Sequence, residues 1–356
     1  MSWKKIAFLF IIFYPAFIQG QDSISNLKNL KLNGYIDFNY RYDLRNQSLQ
    51  FSNNYTSYTN YKGSLILGTA TLDLNYNTKK TNARIEVAYG SQSDRKNEDN
   101  AVNDDFYLKR AYFSYNINPN WNITIGKLYT YLNDEDIDLI NNNFYSVSYI
   151  FTNTPGFFVG VIAEHTFKNQ HILSFGITEE ADILLNTSTR KNLVIQWETP
   201  QEAKTYFRFN YQGQYTNKEN NFNQFEGFLS TSINKKLDFN TSLDYNFVND
   251  SGVYSNWVGL MSMFLYKLKP KINLNWRGEV FYSSAPLTFN QDKIFISQNN
   301  YFVHSQTIAS KIYLTKNLVV IPEFKFDWSS KNIFVDENNN PTNTAYNLFF
   351  SLYFSF

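Results

Sequence analysis

The sequence predicts an all-β chain, a transmembrane antiparallel up-and-down β-barrel of about sixteen strands. Three features predict it. Apolar and polar residues alternate along most of the chain, tight turns alternate with long polar loops, and the last eleven residues form an aromatic strand. In that strand Tyr346, Leu348, Phe350, Leu352, Phe354 and Phe356 share one face, opposite Asn347, Ser351 and Ser355. Successive side chains on a strand point to opposite faces, so one face is wholly apolar and the other mixed. Such a strand suits the closing element of an outer-membrane barrel, with lipid against its outer face and the last ring at the interface.

Residues 1–20 read as an export signal. Lys4 and Lys5 give a positive start, Ile6 to Phe13 an apolar stretch, and Pro15 to Gly20 a run to cleavage. The remaining 21–356 then form a single barrel domain. A net charge of +1 over 356 residues provides no basic surface for nucleic acid. With no cysteine, disulfides, thiolate metal sites and a lipid-modified N-terminal cysteine are excluded, and no cofactor is expected. Mean hydropathy is −0.42, and beyond the N-terminus no apolar run is long enough for a spanning helix. Yet 19% of the residues are aromatic, with 33 Phe and 27 Tyr. A barrel reconciles the two, because only alternate residues face lipid and tyrosine suits both interfaces.

In chain order the strand-like segments run 30–45, 63–78, 81–92, 105–117, 120–131, 156–168, 170–179 and 188–199. They continue at 202–216, 221–234, 236–249, 254–268, 271–284, 302–314, 317–330 and 344–356. An even count meets the requirement for single-chain bacterial barrels. Tight connections at 79–80, 118–119, 169, 200–201, 235, 269–270 and 315–316 carry turn chemistry, such as Asn118-Pro119 and Lys269-Pro270. Between them fall polar loops at 46–62, 93–104, 132–155, 285–301 and 331–343, with shorter ones at 217–220 and 250–253. Turns on one side and loops on the other are the periplasmic and outer ends of such a barrel.

Residue parity assigns the two faces. The first strand sets Leu32, Ile36, Phe38, Tyr40 and Tyr42 against Asn33, Asp37, Asn39, Arg41 and Asp43. Segment 271–284 opposes Ile272, Leu274, Trp276 and Val280 to Asn273, Asn275, Arg277 and Glu279. Segment 317–330 opposes Leu318, Val320, Phe324, Phe326 and Trp328 to Glu323, Lys325 and Asp327. Charge on an inward face is costly in a closed apolar core and ordinary beside water. The pattern therefore predicts a polar lumen inside an apolar exterior. A soluble β-sandwich needs neither so many long aromatic faces nor alternating turn lengths.

About sixteen tilted strands enclose a cylinder roughly 30–35 Å across, too wide for wall side chains to fill. The segment ahead of the first strand is too short for a plug domain, so narrowing falls to a loop. The longest loop, 132–155, holds Asp134, Glu135, Asp136 and Asp138, then an aromatic run from Phe144 to Phe151. Its apolar residues Ile140, Phe144 and Ile150 favour folding inward, and an acidic constriction there would favour cations. The alternative is a solvated acidic loop outside the pore. By parity the lumen also receives Asp37, Arg41, Asp43, Arg45, Arg84, Glu86, Arg110, Arg208, Arg277, Glu279, Glu323, Lys325 and Asp327. Facing rows of acid and base would sort polar solutes by a transverse field. Ion pairing between adjacent strands is the plainer use.

From Leu108 to Gly160 the chain carries Ala111-Tyr112, Trp121, Gly126, Glu135, Asn143-Phe144, Ser146, Ser148, Pro155 and Gly160. In this order it resembles the OmpL-like outer-membrane β-barrel porins, a type common in Bacteroidetes. Leu72 to Thr78 with Ala83-Arg84 resembles that family's second hairpin, and Pro322 to Trp328 its penultimate strand. Arg110 departs from the acidic residue expected before Ala-Tyr. The resemblance implies a porin-like barrel and names no solute.

The expectation is an outer-membrane porin for passive diffusion of small polar solutes, with loop 132–155 as its constriction. Two other classes remain: a non-conducting anchor or adhesin whose long loops bind a partner, and a barrel lipase or protease. His165 falls on the lipid side, His171 beside a tight turn and His304 near the outer rim, and no G-x-S-x-G elbow accompanies them. The Asp134–Asp138 cluster lacks the glycine of an EF-hand loop, so neither catalytic nor metal sites are expected. Expected partners are outer-membrane lipid, small polar solutes or ions, and barrel-assembly machinery acting through the C-terminal strand. A homotrimer is the assembly common among sixteen-stranded porins.

Overall fold

The computed structural model describes residues 28–45, 53–59, 62–91, 106–132, 134–182, 190–217, 220–289, 294–296 and 299–356. Sixteen strands close into one barrel, each bonded to its chain neighbours. They are β1 (Leu30–Asp43), β2 (Leu65–Asn77), β3 (Thr81–Tyr89), β4 (Phe106–Asn118), β5 (Trp121–Tyr129), β6 (Phe157–Thr166), β7 (Ile172–Thr178) and β8 (Asn192–Glu198). The others are β9 (Thr205–Asn217), β10 (Asn220–Asn234), β11 (Leu237–Asp250), β12 (Val253–Lys269), β13 (Ile272–Ser283), β14 (Tyr301–Tyr313), β15 (Leu318–Ser329) and β16 (Thr344–Ser355). Each falls on one predicted segment. Two short hairpins, Leu287–Phe289 with Ile294–Ile296 and Phe334–Val335 with Pro341–Thr342, stand apart from the barrel sheet.

The terminal strand makes the seam. β16 pairs antiparallel with β1 from Tyr35↔Ser355 to Asp43↔Asn347. Gly34 and Phe356 extend the ladder with mutual backbone bonds of 3.1 and 2.9 Å. A Cβ at position 34 would lie 2.6 Å from the Thr71 carbonyl oxygen and 2.5 Å from the Phe356 ring, so glycine gives both the neighbouring backbone and the last ring room at the seam. In hydrocarbon every backbone polar group needs an internal partner, and the closed ladder supplies it.

Alternate residues on the outside are exposed and apolar around the whole circumference, among them Leu32, Leu72, Ile125, Leu193, Leu260 and Phe350. Exposed aromatic rings mark several strand ends, among them Tyr42, Tyr89, Phe106 and Phe302. His165 lies outward as expected, its ring 4.5 Å from Trp121 near the periplasmic turns. Arg45 departs from its parity assignment to the lumen. It sits at the outer rim, bonded to Thr344 and 4.7 Å over the Tyr346 ring, because β1 has ended and parity no longer holds there.

The inside is less uniform than alternation predicts. β12 is apolar on both faces, with Leu260 and Phe264 outward and Trp257, Met261 and Met263 buried inward. Those three join Phe281, Tyr301, Val303, Val319 and Ile321 in one cluster with Phe144, Tyr149 and Ile150 of loop 132–155. A stretch of wall covered by protein gains from burying apolar surface, as any core does. A second loop also turns inward. Of the expected polar loop 46–62, the described part 53–59 has Asn53, Asn54, Thr56, Ser57 and Thr59 buried. Its Tyr55 hydroxyl donates to the Ile333 carbonyl at 2.6 Å, and the Ser57 amide to Thr152 at 3.0 Å. The export signal 1–20 and loop 93–104 lie outside the described residues, as do parts of loops 46–62 and 285–301.

A candidate solute pathway beside an inturned loop

Between β5 and β6 the chain enters the lumen and crosses it. The Tyr131 ring meets Phe158 edge-on at 5.7 Å, and its carbonyl accepts from Asn210 of β9. Half-buried Asp134 follows, within electrostatic reach of Arg208 and Glu226. Glu135 then reaches β13, where Arg277 Nη1 binds Oε1 at 2.5 Å. Asp138 reaches the wall formed by β1 and β4. It is bonded by Lys109, by Arg110 at 3.0 Å and by the Tyr35 hydroxyl at 2.9 Å.

The return limb is held by carboxylates of the wall. Glu323 Oε2 accepts the amides of Tyr145 and Ser146 at 2.9 and 3.3 Å. Glu279 accepts those of Tyr149 and Ile150 at 3.0 and 2.8 Å. These last amides open a single helical turn, α1 (Tyr149–Asn153), whose N-cap Ser148 accepts from the Phe151 amide at 2.9 Å. The first amides of a helix have no internal partner, so serine at the cap and a carboxylate beyond it satisfy them. Arg277 also donates to the Ser146 carbonyl at 2.8 Å, and Lys311 to the carbonyls of Ile140 and Asn142 at 3.0 and 2.8 Å. Charge-assisted bonds of this kind offset the burial of so many polar groups.

Of the four loop acids, Glu135 and Asp138 are thus ion-paired with the wall. Burial works against the charge on Asp138, but Lys109 and Arg110 hold its carboxyl below its ordinary range. Asp136 turns back on its own loop, accepting the Asp138 amide at 2.8 Å and the Asn141 side chain at 2.7 Å.

The expected lining residues separate into two sets. Asp37, Arg41, Asp43, Arg277, Glu279, Glu323, Lys325 and Asp327 all point inward and are buried beneath the loops. Asp37 is bonded by the Tyr145 hydroxyl, Asp43 by Asn53 at 2.8 Å, and Lys325 binds Asp327 at 3.3 Å. Arg84, Arg110 and Arg208 keep contact with solvent, with side chains 23%, 16% and 16% exposed. Glu86, Asp73 and Glu226 lie deeper as their partners, at 2.6 Å for Arg110–Glu86, 2.7 Å for Arg84–Asp73 and 2.9 Å for Arg208–Glu226. Arg110 stacks 4.1 Å over Tyr129, and Arg208 lies 4.9 Å over Phe228. On this side guanidinium groups lie nearer to water than their carboxylate partners.

Lys109 escaped the sequence analysis. The β3–β4 register shifts after Glu86, and this bulge turns the adjacent Lys109 and Arg110 to the same side. A lysine on what parity makes a lipid face was the available signal. His171 stacks on Trp197 at 5.2 Å, and His304 bonds Gln306 on the outer face of β14 at 2.7 Å.

The family model described as "Putative beta-barrel porin-2, OmpL-like" matches residues 29–356. No curated protein sequence matches the chain. Among solved structures, the anion-selective porin from Comamonas acidovorans aligns with TM-score 0.63 at 11% identity, over 92% of this chain and 99% of that one. OprB of Pseudomonas putida aligns with TM-score 0.61 at 8% identity, over 94% and 96%. The outer membrane channel DcaP of Acinetobacter baumannii gives 0.59 at 11% identity, over 92% and 97%. At these identities the likeness is one of fold.

Proposed function

The chain belongs to the OmpL-like β-barrel porin family, and from that premise we propose that small polar solutes diffuse past loop 132–155 as the constriction of its lumen. It is an outer-membrane porin. The observation that supports this constriction is the double crossing of the lumen, fixed by Glu135–Arg277 on one wall and Asp138–Lys109 on another. A loop held at both limbs sets an aperture; a free loop would not. In this reading Glu135 and Asp138 position the loop, while half-buried Asp134 and Asp136 meet the solute together with Arg84, Arg110 and Arg208. Acid facing base across a narrow passage orients polar solutes by its local field.

The inward course of loops 53–59 and 134–155 argues against an adhesin, which would display them outside. Passage by diffusion uses no reactive group, so the chain acts as a channel and not as an enzyme. Residues 1–20 are removed on export, assembly machinery engages the C-terminal strand before β16 meets β1, and the working unit is a homotrimer. In planar bilayers the refolded protein should give stepwise conductance; its absence would leave only an anchor. Sequencing the N-terminus of the exported protein tests cleavage, and native mass measurement tests the trimer. Esterase or protease activity that disappears on replacing His165, His171 or His304 would overturn the channel-only assignment.

A further inference from the structure

A cavity of about 310 Å³ opens at the outer ends of β7 to β11, beside Pro155 where loop 132–155 rejoins the wall. Its size lies at the lower end of roughly 300–1,000 Å³ for small-molecule sites. Four carboxamides line it, Asn192, Gln214, Asn221 and Asn249, together with the Phe222 ring. Three carboxylates and one guanidinium also line it, and each of the carboxylates already has a partner. Asp182 accepts the amides of Gly156 and Phe157 at 2.7 and 3.2 Å, Glu180 lies 3.7 Å from Arg190, and Asp250 accepts from Ser251 at 3.2 Å. By contrast, Gln214 Nε2 and Asn221 Oδ1 have no hydrogen-bond partner among the described residues, and both atoms lie just beneath the cavity surface.

We propose that this cavity is a binding site for a neutral sugar at the outer mouth of the barrel. A donor and an acceptor left unpartnered just beneath the wall of such a site cost free energy until a side-chain rotation brings them to a ligand or water. A sugar hydroxyl both donates and accepts, so carboxamides suit it on either side. The C–H face of a pyranose ring packs against an aromatic ring such as Phe222, a surface a simple ion would leave unused. Three carboxylates against one guanidinium disfavour an anion, and their existing partners leave no concentrated charge for a cation. The site loads solute directly above the loop, so its role in uptake rests on the porin reading, while binding itself does not.

The test uses the full-length refolded protein, with glucose and maltose as probes and gluconate as the charged control. Calorimetry in detergent should show saturable binding of a neutral sugar, and in bilayers the same sugar should reduce ion current when added to the outer side. Gln214→Ala, Asn221→Ala and Phe222→Ala should each raise the half-saturating concentration by up to about tenfold. Sugar-free conductance should stay unchanged. Phe222→Leu, which keeps apolar volume, should weaken binding while preserving the folded, heat-modifiable band. Conductance without sugar binding would overturn the site, as would gluconate binding as tightly as the neutral sugars. Sugar binding without conductance would keep the site and overturn the pore.

Discussion

Arg277 and Arg84 occupy the same kind of place, on the inward face of an antiparallel strand, yet one is 1% exposed and the other 23%. Arg277 lies on the wall of β12 to β16 and β1, where two loops cover carboxylates, lysines and an apolar cluster. Arg84 of β3 lies, like Arg110 of β4 and Arg208 of β9, where guanidinium groups reach solvent above their acidic partners, with the buried cluster of Phe158, Ile162 and Val194 on β6 and β8 between them. One sheet thus builds part of its inner surface as a protein core and part as a wet lining. The contrast separates fully covered charge from charge that a solute can meet, with Arg110, bonded to Asp138 of the loop yet 16% exposed, at the boundary.

The largest expected effect is on the covered wall. Arg277→Ala leaves Glu135 buried without its cation, which costs about 3–5 kcal/mol. Its release of the loop should appear as a lower unfolding temperature and a larger, noisier unit conductance. Unchanged conductance would break the distinction between the walls. Met261→Ala removes apolar contacts from the same region and should cost about 2–5 kcal/mol, measured by denaturant unfolding in detergent.

A smaller effect should follow pH. Asp138 has its folded-state pKa depressed, so its contribution is present above the unfolded value of about 3.9 and is lost as pH falls through the lower folded value. The loss of unfolding temperature on Asp138→Asn should therefore be constant down to about pH 5 and shrink only in stronger acid. A difference between the two proteins that shrinks already near neutrality would show that Asp138 is not what holds the loop. Least affected in stability is Arg84→Gln on the wet wall, at below about 1 kcal/mol. That substitution should nevertheless move the reversal potential in a salt gradient toward cations, whereas a conservative Lys should restore it.

Much of this was legible in the residues. The two-residue period of β1, β13 and β15 placed Asp37, Arg277 and Lys325 inward, and the aromatic run Phe144 to Phe151 marked a loop too apolar for solvent. Both faces of β12 are apolar in sequence, a signal of cover on its inner side that the parity of the other strands did not bring out. Lys109 was hidden because a bulge breaks the period on which parity depends. Loop 53–59 was hidden because its polar side chains are satisfied by distant partners, such as Asn53 with Val335 and Asn347 with Asn53.

By itself the sequence determined the sixteen strands, their two faces and the terminal strand as the seam, since each depends on neighbours along the chain or on a ladder that must close. Phe356 and Gly34 complete that ladder. Tertiary structure alone decided which inward charges are buried and which meet water. A period of two records the side on which a residue lies, but not what crosses the lumen to cover it, and Glu135 meets Arg277 from far along the chain.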